Sequence, residues 1–271
     1  MPRINSVEKL AAGGLLLCLL CACTPYHRWI EQGDLSNQVI AGTRYQHRVL
    51  INPAGRSQPA PEHWHVYIEG DGRAVDGNGR PSRDPTPRTP LLLPMLLEDP
   101  APALYLGRPC YFHTGDARCS PVDWTLARYS RDTVDSMAAV VRQQIPATTT
   151  LTLIGHSGGG TLAVLLAAQL TNVTRVVTLA GNLQVAQWTR HHHYSPLTLS
   201  LDPGSEPPLE PGIQQVHFAA ALDEEVLPTW IQHYARQQPS AHFELLEGTG
   251  HRRGWPLWWT LISFEPTIKT P

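Results

Sequence analysis

The segment Leu151-Thr152-Leu153-Ile154-Gly155-His156-Ser157-Gly158-Gly159-Gly160 joins an apolar run to a small-residue stretch through a glycine-flanked serine. A serine displayed on a sharp strand-to-helix turn needs glycine two places before and two places after it, because a side chain at either position would collide with neighbouring backbone. Gly155 and Gly159 occupy those places. The five-residue pattern alone arises by chance in about one in ten chains of this length at ordinary glycine and serine usage, so its weight comes from context. The run 151–154 reads as a strand, and 159–170, small and apolar all round, reads as a helix buried against a sheet. A turn of this kind requires a sheet for its strand to join.

The rest of the chain supplies one. Short apolar, β-branched runs at 48–51, 65–69, 103–106, 151–154, 175–179, 216–220 and 243–246 alternate with helical patterns, as parallel strands joined by crossovers do. The stretch 130–145 places Val134, Met137, Ala138, Val141 and Ile145 on one helical face, with Ser130 as N-cap. Further helices fit 229–237 and 256–264. With no internal repeat and no composition break, one α/β domain is expected. Two stretches, 70–102 and 182–212, do not fit the alternation. Loops this long in a compact domain are usually functional or disordered. The first follows a strand and can reach the sheet's C-terminal edge, where open α/β sheets bind ligands; the second is a candidate lid or cap.

On such a scaffold the catalytic groups follow one another as serine, acid, histidine. After Ser157, the strand 216–220 runs into Ala221-Leu222-Asp223-Glu224-Glu225, which makes Asp223 the candidate acid and Glu224 its alternative after a one-residue shift of the turn. The strand ending at Leu246 leads into Glu247-Gly248-Thr249-Gly250-His251, a flexible loop that offers His251 as general base. An oxyanion hole needs two backbone N–H groups aimed at the developing charge. Gly158 supplies one as the residue after the serine. The other is expected from the turn Glu69-Gly70-Asp71-Gly72-Arg73, with the Asp71 amide first and Gly72 second.

The first two dozen residues read as an address. Arg3 and Lys9 precede a leucine-rich run that closes on Leu20-Cys21-Ala22-Cys23, the three-part form of a secretory signal. Thirteen residues separate Lys9 from Cys23, too few for a hydrocarbon core that needs about 20. Leu20 and Ala22 ahead of Cys23 are similar to the lipobox of bacterial lipoproteins, so residues 1–22 are expected to be a signal peptide and Cys23 the lipidated N-terminus. An ordinary secretory signal, with Cys23 incidental, is the alternative. Residues 23–36 read as a tether and 37–271 as the folded domain. Thr24, in place of the aspartate associated with inner-membrane retention, points to a lipid anchor on the outer membrane, facing the periplasm. Cys110 and Cys119 are then the thiols left, and two cysteines nine positions apart in an exported chain read as a local disulfide. A metal site with His113 is the rival reading, without the short paired spacing of zinc sites.

Composition removes other classes. With 21 basic and 23 acidic residues and no basic block, the electrostatic footprint of nucleic-acid binding is missing. His191-His192-His193 reads as a solvated run, His63 and His65 as neighbours on one strand face, and Trp255, Trp258 and Trp259 as packing for a terminal helix.

With Gly155 to Gly159, Asp223 and His251 in place, the chain resembles the α/β-hydrolase superfamily over nearly all of the region after residue 36. The phrases Tyr67-Ile68-Glu69-Gly70-Asp71-Gly72, Asp84-Pro85-Thr86-Pro87-Arg88 and Leu106-Gly107-Arg108-Pro109-Cys110 resemble a group of proteobacterial α/β-hydrolase lipoproteins. The resemblance implies a mostly parallel central sheet of about eight strands flanked by helices, and a serine hydrolase that needs neither metal nor cofactor. Glu69 departs from the pattern, standing where histidine is common before the oxyanion glycine. A small-molecule acyl ester is the expected substrate, with thioesterase, peptidase and acyltransferase chemistry open. A non-catalytic envelope lipoprotein that binds a ligand or partner on the same scaffold is the competing reading.

Overall fold

A computed structural model describes residues 25–57 and 61–255. The signal-like segment, Cys23 and the helix expected at 256–264 lie outside the described residues. Eight strands form one sheet: β1 (Ser36–Ala41), β2 (Gln46–Ile51), β3 (His63–Ile68), β4 (Ala103–Leu106), β5 (Thr150–His156), β6 (Val173–Leu179), β7 (Gln214–Ala220) and β8 (Ala241–Leu246). Their order across the sheet is β1-β2-β4-β3-β5-β6-β7-β8. β2 runs antiparallel to β1 and β4, and all other neighbours are parallel. The fold class expected from the sequence is the one observed. β1 is absent from the expected strands because it is an edge strand whose residues are exposed or half-buried, leaving no apolar run to find.

Helices cover both faces. α3 (Arg131–Gln144) and α4 (Gly158–Ala167) lie on one side, where Val134, Met137, Val141 and Leu162 pack on Val66, Ile68, Leu151, Leu153 and Val176. α2 (Leu92–Glu98) covers the other, where Leu92, Leu93, Met95 and Leu96 pack on Tyr67, Tyr105, Ile154, Val177 and Phe218. Adjacent residues such as Leu153 and Ile154 therefore serve opposite cores, as the period-two geometry of a strand dictates. α3 begins as its sequence predicts, with the Ser130 hydroxyl accepting the Thr133 N–H at 3.2 Å. α6 (Pro228–Arg236) starts on a proline at its first turn and lies against β7 and β8.

Of the span 23–36, the described part from residue 25 contains a helix and the start of β1. α1 (Pro25–Gln32) is a helix in that span, and its Tyr26 is buried in the core cluster of the α2 face, edge-on to Phe112 at 4.8 Å. The signal for it is present in the sequence, since Tyr26, Trp29 and Ile30 sit three and four apart, the spacing of one helical face. The stretch 182–212, expected as a loop, contains α5 (Val185–His191), whose first-turn amides Val185 and Ala186 donate to the Asp202 carboxylate at 2.9 and 2.8 Å.

Three histidines are built into the interior as neutral rings. His47 Nδ1–H donates to the Gly107 carbonyl while Nε2 accepts from Ser136. His217 Nε2–H donates to Gln215 Oε1 while Nδ1 accepts from Thr178. His156 Nε2–H donates to the His251 carbonyl at 2.9 Å. Burial lowers the pKa of His47 to about 4 and those of His156 and His217 to about 3. Because the unfolded chain protonates these rings below about 6.5 and the folded chain does not, their stabilisation is complete above that pH and is lost on acidification. The raised pKa of buried Glu69 acts in the opposite sense, as one group against three. Stability from denaturant unfolding should therefore fall between pH ~7.5 and pH ~5.5, by at most about 4 kcal/mol for the three rings together and by less as Glu69 offsets them, and an unchanged midpoint would mean that the rings protonate without unfolding.

Candidate active site

Ser157 sits between β5 and α4 with φ 53° and ψ −121°, a region that costs a side-chain-bearing residue about 1–3 kcal/mol. Three hydrogen bonds hold it there: its N–H donates to the Leu179 carbonyl at 3.0 Å, and its carbonyl accepts from Gly160 and Asn182 at 2.9 and 3.0 Å. The flanking glycines are steric requirements. A Cβ on Gly155 would stand 2.2 Å from the Gly159 carbonyl oxygen, and one on Gly159 would stand 1.9 Å from that of Ile68.

The loops after β7 and β8 bring Asp223 and His251 to this turn. His251 Nδ1–H donates to Asp223 Oδ2 at 2.8 Å, and its Nε2 accepts from the Ser157 hydroxyl at 3.1 Å. A carboxylate can only accept here, so the contact fixes the tautomer that leaves Nε2 free to take the serine proton. Asp223 is buried, and its Oδ1 accepts from the Glu225 and Val226 amides at 2.9 and 3.0 Å. Glu224, the alternative acid, is exposed and points no group at His251. The histidine's own backbone is pinned as well, since its carbonyl accepts from His156 Nε2 and from Trp255 Nε1 at 3.3 Å. His156, the variable residue of the Gly-x-Ser-x-Gly turn, thus links the serine turn to the histidine loop.

The turn after β3 is locked by its acid. Asp71 Oδ1 pairs with Arg108, while Oδ2 accepts from Arg128 Nη1 at 2.9 Å and from the Tyr129 hydroxyl at 2.6 Å. Burial pushes this carboxyl's pKa up, but the two guanidiniums and the tyrosine outweigh burial and hold it well below the usual carboxylate range. The Asp71 carbonyl accepts from the Tyr111 hydroxyl at 3.0 Å. Among the described residues, the Asp71 and Gly158 amides donate to no main-chain carbonyl, so both expected oxyanion donors are unengaged. A Cβ on Gly158 would stand 2.1 Å from Asp71 Oδ1 and 2.4 Å from the Tyr129 oxygen, which explains glycine immediately after the serine.

Tyr111 belongs to the loop closed by the Cys110–Cys119 disulfide, whose Cα atoms are 5.5 Å apart. That bridge fixes the segment that grips Asp71, and it stabilises the fold by about 2.5–3 kcal/mol on the loop-entropy estimate. Glu69 does not stand in for the histidine it replaces. Its carboxylate accepts the Leu91 and Leu92 amides at 3.1 and 2.9 Å, capping the first turn of α2 and holding the far wall of the site in place. Sequence reasoning missed the Arg108, Arg128 and Tyr129 ring around Asp71. Arg108 carried one signal, a cation directly after a buried strand at the ligand-binding edge of the sheet.

Ser157 and His251 open into a cavity of about 1120 Å³ walled by residues of 69–91, 125–128, 182–197 and 251–253. Both stretches that broke the strand–helix alternation line it. His192, from the histidine run, is half-buried and stacks on Tyr194 at 5.2 Å, and its Nε2–H donates to the Glu225 carbonyl at 2.8 Å. Among the described residues, no group of three or more histidine, cysteine or acidic side chains is placed to hold a metal ion.

The strand order and the placement of Ser157, Asp223 and His251 at the C-terminal edge of the sheet decide the architecture. The chain has an α/β-hydrolase fold. It is similar to Est1E of Butyrivibrio proteoclasticus, solved with ferulic acid, at a TM-score of 0.56 and 16% identity over 83% of this chain and 95% of that one. It is also similar to an esterase of Pyrococcus furiosus, at a TM-score of 0.55 and 10% identity over 86% and 90% of the two chains. A third likeness is to an alpha-beta serine hydrolase homologue of Coxiella burnetii, at a TM-score of 0.51 and 12% identity over 80% and 89%. No protein-family model matches the sequence, and no curated protein matches it.

Asp71 tests the local energetics. Asp71→Asn would leave two buried guanidiniums without their carboxylate, and breaking such a pair costs about 3–5 kcal/mol. Thermal or urea unfolding should show a loss of that size, and a loss under about 1 kcal/mol would mean that solvent already screens the cluster.

Proposed function

We propose that the protein is a serine hydrolase that cleaves carboxylic esters through an acyl-enzyme. The observation that carries this reading is the continuous hydrogen-bonded line from Ser157 Oγ through His251 to Asp223, set on a strained serine turn. His251 Nε2 removes the Ser157 proton as Oγ attacks the substrate carbonyl carbon. Asp223 orients the ring and stabilises the imidazolium. The carbonyl oxygen gathers negative charge, which the Gly158 and Asp71 amides receive. The tetrahedral centre collapses, its bond to the alcohol oxygen breaks, and His251 hands its proton to the departing alcohol. Water then attacks the acyl-serine with His251 again as base, releasing the acid and restoring the hydroxyl. The ester class is supported by the fold likeness to the Pyrococcus furiosus esterase.

Replacing Ser157 or His251 by Ala should lower ester hydrolysis by about 10⁴–10⁶, and the double variant should be little worse than either single one, because such groups act as a unit. Asp223→Asn should be severely impaired, since an amide does not hold the required tautomer. A fluorophosphonate should label Ser157 covalently. Wild-type turnover by folded Ser157→Ala would remove the serine from the mechanism, and absence of both turnover and labelling in the wild type would restore the ligand-binding reading.

We also propose that the enzyme works in the bacterial envelope, anchored through lipid on Cys23 and facing the periplasm. The Cys110–Cys119 bridge supports an oxidising compartment. Mass spectrometry of the mature N-terminal peptide should find Cys23 at the terminus carrying acyl chains. An unmodified Cys23 inside a longer peptide would exclude the anchor.

A further inference from the structure

The charges that line the cavity are unequal. Glu69 is committed to the first turn of α2, and Asp71 and Arg128 are committed to each other. What remains among the described residues is Arg73, Arg88, Arg252 and Arg253 against Glu225. None of these four guanidiniums makes an ion pair or side-chain hydrogen bond to another of the described residues, which is equally true of the exposed Arg80, Arg83, Arg131, Arg190 and Arg236; what sets the four apart is that they line one cavity. They come from separate parts of the chain: Arg73 ends the turn after β3, Arg88 lies in the stretch before α2, and Arg252 and Arg253 directly follow the catalytic histidine. A protein of net charge −2 thus gathers an excess of positive charge at one opening. Trp188 lines the same cavity, and its indole Nε1–H is buried with no acceptor among the described residues.

We propose that the ester substrate carries an anionic group, carboxylate or phosphate, held by this arginine mouth while its carbonyl lies against Ser157. The proposal rests on Ser157 being the nucleophile. Guanidinium suits such a group because its planar fork matches the oxygens of either anion and it stays charged at every working pH. A concave site with walls of low dielectric also focuses the field, so the mouth both steers the substrate in and orients it.

Two pairs of esters test this and separate the two anions. The first compares mono-p-nitrophenyl suberate with its neutral methyl ester; the second compares the octanoyl ester of glycerol phosphate with that of glycerol. At low salt the anionic member of at least one pair should show a kcat/KM about tenfold or more above its neutral partner. The preference should shrink as salt rises from about 0.01 M to about 1 M, where the screening length falls from about 30 Å to about 3 Å. The double substitution Arg252→Gln and Arg253→Gln should reduce the ratio several-fold. A ratio near one in both pairs, in protein whose Ser157 reacts with a fluorophosphonate, overturns the anionic substrate and leaves the nucleophile standing. Absence of labelling overturns the nucleophile, and this inference with it.

Discussion

The Asp71 carboxylate is the point on which the geometry of the site depends. Its two oxygens bind Arg108 from the end of β4, and Arg128 and Tyr129 from the approach to α3, while its carbonyl binds Tyr111 in the disulfide loop. These segments are far apart in sequence, and their order is set by one half-buried charge. An uncompensated carboxylate in such a place would be prohibitive, and so would two uncompensated guanidiniums. The cluster is therefore all or none, which gives the β3 turn a single position. Because Asp71 Oδ1 fills the space where a Gly158 side chain would stand, the same carboxylate sets how closely the β3 turn and the start of α4 approach. The two amides assigned to the oxyanion belong to those two segments.

The serine turn is the complementary case, in which strain is held by neutral contacts. Ser157 occupies an unfavourable backbone region, and bonds to Leu179, Gly160 and Asn182 over-determine it. His156 extends the restraint to the opposite side of the site. Its ring is kept neutral by burial, so the one N–H it carries is directed to the His251 carbonyl. His251, the proposed base, is thereby held from two directions, its ring by Asp223 and its backbone by His156 and Trp255. Preorganisation of this kind lets a general base act without reorganising at each turnover.

What the sequence made legible follows from how local each signal is. The serine turn, the seven strands after β1 and the N-cap of α3 are written in contiguous residues, so periodicity and glycine spacing are enough to find them. Asp223 was separable from Glu224 only in three dimensions, because a single turn decides which carboxylate meets His251. β1 and α1 were missed for opposite reasons. β1 has too little apolar content to register as a strand, and α1 is short and adjoins a segment read as an address, so that its buried Tyr26 looked like linker. The ring around Asp71 was invisible because no sequence pattern links residues 71, 108, 111, 128 and 129; only the sheet order brings them together.

The two long irregular stretches show why the cavity is a definite shape and not a gap between loops. The wall from residue 70 onward is held where Glu69 caps α2, a bond between the last residue before the oxyanion turn and a helix more than twenty residues later. The wall from residue 182 onward is held where Asp202 caps α5 from the returning half of its own excursion, and where Ser200 donates to Leu126 and accepts from the Tyr129 amide. In each case the acid at the root of the wall is directed at helix amides, where the end of the helix dipole favours it. Among the described acids that line the cavity, Glu69 is committed to the first turn of α2 and Asp71 to Arg108, Arg128 and Tyr129, which leaves Arg73, Arg88, Arg252 and Arg253 opposed by Glu225.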